Sequence, residues 1–156
     1  MRLPALGRRG EGWVAAQAAL LGATAACGFI GSWPAAARWP LVGAGGALGA
    51  AGVALGVAGG VRLGRALTPL PAPRAGADLC DTGVYAHARH PIYGGVLLVA
   101  AGWALARSPV ALVPAAALVP FFVLKAAREE AWLVERHPGY DAYRRAVRRR
   151  FLPGLF

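Results

Sequence analysis

Charged side chains are absent from four long stretches of the chain. Trp13 to Trp33 carries one strongly polar side chain, Gln17, near its start. Trp39 to Val61, Ile92 to Ala106 and Val110 to Leu124 are also uncharged. A helix needs about 20 apolar residues to cross roughly 30 Å of hydrocarbon, so this pattern predicts about four transmembrane helices. The third stretch is short and is followed by Arg107-Ser108-Pro109. That predicts a tight antiparallel hairpin with the fourth, Ser108 being its N-cap and Pro109 its first helical residue. Pro114 and Pro120 fall inside the fourth stretch and are expected to kink it. The expected fold is all-α, a polytopic membrane helix bundle. It forms a single domain over 1–156, with two N-terminal spans in 1–61 and the remainder in 62–156.

Composition sharpens this picture. The chain is 57% hydrophobic and only 15% charged, yet its net charge is +10. A soluble domain carries about 25% charged residues, and a disordered chain lacks the apolar content. Cys27 and Cys80 are the only cysteines, too few for a disulfide scaffold. Arg2, Arg8 and Arg9 precede the first span, and Arg62, Arg65, Arg74 and Arg89 lie between the second and third. Lys125 and seven arginines from Arg128 to Arg150 follow the fourth, whereas Arg38 and Arg107 alone occupy the other two loops. The positive-inside rule therefore puts both termini in the cytoplasm, and the expected location is the bacterial inner membrane. Because the basic residues track topology, a nucleic-acid partner is not expected. The C-terminal arginines suit anionic headgroups. Trp13, Trp33, Trp39 and Trp132 fall at span ends, as an interfacial belt does. In the second span, Gly45/Gly49, Gly52/Gly56 and Gly56/Gly60 have spacings that allow close helix approach.

Two other signals lead nowhere. Arg8-Arg9 and the apolar run ending at Ala25-Ala26-Cys27 resemble a signal peptide, but the run continues past Cys27 to fill a span. The glycines from Gly43 to Gly49 break the Gly-x-Gly-x-x-Gly pattern at Leu48 and sit mid-span, so no dinucleotide fold is indicated.

The chemistry concentrates between the second and third spans. After the extended Thr68-Pro69-Leu70-Pro71-Ala72-Pro73 segment come Leu79, Tyr85, His87, Arg89, His90, Pro91 and Tyr93. Arg128, Glu129 and Glu130 follow the fourth span on the same helix. Ionisable groups near membrane depth are costly and mark a site or pair with one another; Glu129 and Glu130 also suit interfacial pairing with arginines. His90, locked before Pro91 at a helix start, can receive an anionic group. His87 and His90 gather no further ligands for a metal.

The motif Gly83-x-Tyr85-x-x-x-Arg89-His90-Pro91-x-Tyr93-x-Gly95, followed one hairpin later by Glu129-Glu130, resembles the isoprenylcysteine carboxyl methyltransferase and phospholipid methyltransferase superfamily. The resemblance covers roughly Arg62 to Pro153 and includes Gly139-Tyr140-Asp141-Ala142-Tyr143. It implies an integral membrane enzyme that uses S-adenosylmethionine, with 62–156 as the catalytic core. It further implies a cofactor pocket of Leu79, Gly83, Tyr85, His90, Pro91, Tyr93, Glu129 and Glu130, at the cytoplasmic end of the last helices. A Glu suits the cofactor's ammonium and Tyr faces suit its sulfonium. The acceptor is a lipophilic molecule or lipid. For a carboxylate acceptor, Arg89 and Arg128 are the candidate cations; for an amine, Glu129 or Glu130 can accept a proton. Arg89, Arg128 and Glu130 are thus the candidate catalytic residues. Two alternatives are a non-catalytic lipid- or partner-binding protein of the same fold and a small transporter. The transporter predicts ionisable residues mid-span, which the first two spans lack.

Overall fold

The structure is a computed structural model and describes residues 4–74 and 76–154. Arg2, one of the arginines counted for topology, lies outside them. Among the described residues the fold is all-helical. The helices are α1 (Glu11–Cys27), α2 (Ala35–Leu63), α3 (Pro91–Arg107), α4 (Leu112–Arg136) and the short α5 (Tyr140–Ala146). Single 3-10 turns follow α2, precede α3 and precede α4. Two helices are long and apolar enough to cross a membrane, Ala35–Ala66 and Pro109–Arg136.

The uncharged stretch Trp13–Trp33 is not one helix. α1 stops at Cys27, with Gly28 as its C-cap and Gly31 turning the chain at φ +71°, and Trp103 packs against Gly28 where a Cβ would otherwise sit. With 17 residues, α1 is about 25 Å long. The start of α4 follows expectation more closely. Ser108 is fully buried and accepts from the Val110 N–H at 3.1 Å, while its hydroxyl donates to the Ile30 carbonyl. Pro114 falls in the first turn of α4 rather than its interior, and only Pro120 lies inside.

The closest packing joins α2 to α3. A Cβ on Gly95 would sit 2.6 Å from the Gly52 carbonyl oxygen and 2.8 Å from the Gly56 nitrogen. One on Gly102 would sit 2.7 Å from the Gly49 nitrogen. The buried α2 glycines are Gly45, Gly52 and Gly59, one every seven residues; Gly60 takes no part in the crossing. α3 thus makes its broadest contact with α2, not with α4.

α1 lies mainly on α4, with Trp13 and Phe121 ring centroids 5.7 Å apart. The shared core is small: Ala100 and Ala104 of α3, Leu118, Phe122 and Ala126 of α4, and Phe151 from the tail. The start of α1, the end of α2, the start of α3 and the end of α4 gather at one end of the molecule. There Lys125 reaches Gln17 and Ile92 packs on Gly59.

Candidate functional site

α4 carries its site residues on the same stripe that makes the core. Leu118, Phe122, Ala126 and Glu130 follow one another at four-residue spacing, and all are buried. Lys125 and Glu129 form a second four-residue pair, one position round the helix, and both line a cavity. α3 supplies the facing wall. His90 caps it, Pro91 occupies its first position, and Tyr93 follows within the first turn.

The cavity has a volume of about 360 Å³. Leu79, Tyr85, Arg89, His90, Tyr93 and Glu129, all predicted site residues, line it. Leu63, Leu67, Ile92 and Val96 give it apolar walls. The Tyr93 hydroxyl donates to Glu129 Oε2 at 2.6 Å, and His90 Nδ1 lies 3.7 Å from the same oxygen. The His90 and Tyr93 rings stack at 5.4 Å, nearly parallel. Tyr93 in turn stacks on Phe122 at 4.8 Å, so the aromatic wall is fixed from behind.

Four predicted residues do not line the cavity. Gly83, at φ +62°, starts the 3-10 turn that carries Tyr85, and Pro91 is buried behind the wall. Arg128 is directed elsewhere, its guanidinium 3.9 Å above the Trp132 ring. Glu130 is the centre of a buried ionic cluster. Its Oε1 accepts from Arg89 Nε at 3.0 Å and from His90 Nε2 at 3.1 Å, with Arg150 Nε at 3.4 Å. An ionised carboxylate only accepts, which places the hydrogen on His90 Nε2. Glu130 therefore orients the imidazole and the guanidinium that face the cavity. Arg89 is held further by the C-terminal segment, its Nη1 donating to the Val147 and Arg148 carbonyls at 2.6 and 2.9 Å. The Arg89 and His90 backbone N–H groups donate to the Arg149 and Arg150 carbonyls. The tail thus straps the start of α3.

The sequence reading left out several wall residues. In the sequence Gln17 is only a lone polar residue and Lys125 only a charge, yet both line the cavity. An isolated polar side chain in an apolar run was the signal for Gln17. Tyr140 and Tyr143 line it too, and the Tyr143 hydroxyl donates to the Tyr85 carbonyl at 2.7 Å. Burial raises the pKa of the Tyr85 and Tyr143 phenols well above the usual range, so both stay protonated.

A second, apolar groove of about 560 Å³ lies between α1, α2 and α3, lined by Leu21, Val53, Val57, Val99 and Trp103 among others. Ile92 and Val96 line both spaces, so the groove adjoins the cavity. No protein-family model matches the chain, and no curated protein matches it.

Proposed function

We propose that the protein is a membrane-embedded S-adenosylmethionine-dependent methyltransferase that acts on a lipophilic acceptor, an isoprenylcysteine-type carboxylate or a phospholipid-type amine. One observation carries this reading. His90 and Tyr93 of the α3 motif and Glu129, 36 residues beyond Tyr93, converge on one apolar-walled cavity. These are the residue types a sulfonium with an α-amino acid tail requires.

In this reading Glu129 takes the cofactor's ammonium, a role its Tyr93 hydrogen bond pre-orients. The Tyr85 ring faces the cation, and the walls near Leu79 take the adenine. The cofactor supplies an electrophilic methyl group. The protein's part is to hold the acceptor in line and keep water out. Arg89 and Glu130 act by positioning, since both are committed to the ionic cluster. The groove that meets the cavity at Ile92 and Val96 suits a hydrocarbon chain.

The same reading has four spans, the last two forming a hairpin, with both termini and the site cytoplasmic. Two features support it. The apolar α3, with 17 residues, sits at the lower limit for a span. Only 11% of the most apolar stretch of α2 is buried, which leaves its outer face suited to lipid. The exposed Arg144, Arg145, Arg148 and Arg149 then lie against anionic headgroups of a bacterial inner membrane. The adjoining groove also suits a non-catalytic lipid-binding protein. Methyl transfer separates the two readings. Incubation with methyl-labelled S-adenosylmethionine and a membrane lipid extract puts label into the organic phase, and Glu129→Ala lowers the rate about 10- to 100-fold. An unlabelled organic phase with the native protein contradicts the enzyme reading.

A further inference from the structure

We propose that Lys125 anchors an anionic head group, so that the acceptor entering this cavity is an acidic lipophile. This rests on the methyltransferase reading of the cavity and names its acceptor class.

Lys125 is 1% exposed. Its ammonium donates to Gln17 Oε1 at 2.5 Å and to the Pro69 carbonyl at 3.1 Å, and sits 5.0 Å from the Tyr93 ring centroid. All three neighbours line the cavity, as Lys125 does. Among the described residues no carboxylate lies within ion-pair distance of it. Glu129, one turn further along the helix, has Oε2 occupied by the Tyr93 hydroxyl. A buried charge is ordinarily paired, because losing water is costly. An ammonium has three donors, and the two hydrogen bonds leave one for a ligand.

The other basic side chains in and around the cavity are unsuited. Arg89 is already paired with Glu130 and donates to two tail carbonyls. Arg74 is exposed at the rim and donates to the Arg65 carbonyl. His90 lies between Glu129 and Glu130. Arg128 stacks on Trp132, outside the cavity. Among the described residues Lys125 is thus the one deep cation of the cavity with no carboxylate within ion-pair distance, and it stands among apolar walls. A carboxylate or a phosphate head on a hydrocarbon chain meets both features, whereas an ammonium head beside Lys125 meets like charge once Glu129 holds the cofactor's ammonium.

The test compares probes that share a chain and differ in the head. N-palmitoylglycine, its methyl ester, hexadecyl phosphate and hexadecylamine are titrated into the full-length protein in detergent by calorimetry. Native protein binds the carboxylate or the phosphate about ten-fold or more tighter than the ester and the amine, and the two acids show which head is preferred. Lys125→Met brings the acids and the ester to within about two-fold. Equal binding of acids and ester by native protein overturns the proposal with no variant involved. Preference that survives Lys125→Met overturns it too. So does a Lys125→Met variant that loses S-adenosylhomocysteine binding and keeps the acid preference, since Lys125 then holds the cofactor's carboxylate. If native protein binds no S-adenosylhomocysteine but shows a Lys125-dependent acid preference, the methyltransferase reading falls and the anion anchor stands.

Discussion

Replacing Glu130 by alanine is expected to destabilise the protein by about 3 to 5 kcal/mol, the cost of leaving buried charges without their partner. Glu130 is 4% exposed, and Arg89, His90 and Arg150 all converge on its Oε1. Removing the carboxylate leaves a buried guanidinium and imidazole facing a void. It also loosens the tail, because the same guanidinium holds the Val147 and Arg148 carbonyls. An exposed pair provides the comparison. Asp141 and Arg144 are 2.8 Å apart and nearly half exposed, so Asp141→Ala costs only about 0.2 to 1 kcal/mol. Unfolding in mixed micelles, followed by tryptophan fluorescence, measures both. Similar losses for the two variants would mean that the cluster is not the junction of α3, α4 and the tail.

The second large effect concerns the α2–α3 crossing. Gly95→Ala adds one methyl group, yet that carbon would fall 2.6 Å from the Gly52 oxygen and 3.0 Å from the Gly56 Cα. Backbone atoms cannot rotate away as a side chain can, so the helices must separate. Overpacking ordinarily costs about 1 to 3 kcal/mol, and Gly95→Ala is expected at or above the top of that range. Gly43→Ala in α2 has nothing within 4 Å of the added carbon. It is expected to stabilise by about 0.5 to 1 kcal/mol through helix propensity. The opposite signs of two identical substitutions are the readout, taken from the same unfolding experiment. Equal effects would mean that the glycines do not set the helix separation.

Much of this architecture is legible in the sequence because local signals dominate. Absence of charge located α2 and the apolar part of α4 to within a few residues. Ser108-Pro109 marked a helix start whose cap depends on its own neighbours. The end of α1 is hidden in a charge-free run that continues to Trp33, although Gly28, Gly31 and Pro34 are local stop signals. The glycine spacings marked α2 as a packing helix, but which glycines face α3 depends on Gly95 and Gly102 across the interface.

The candidate site divides in the same way. His90, Tyr93 and Glu129 stood out as ionisable and aromatic residues beside apolar runs. The distinct duties of Glu129 and Glu130 follow from helix rotation of one residue, about 100°. That rotation turns one carboxylate to the cavity and the other to Arg89. Lys125 enters the sequence pattern only as one of the basic residues after the fourth span, because nothing in sequence reveals that Gln17, 108 residues earlier, meets it.

Titration of S-adenosylhomocysteine into the purified protein by calorimetry is the decisive test of the proposal that this cavity holds S-adenosylmethionine. Saturable binding at one site per chain is expected, weakened about 10- to 100-fold by Glu129→Ala, which removes a charge-assisted hydrogen bond to the ammonium. Native protein that gives no saturable heat would contradict it.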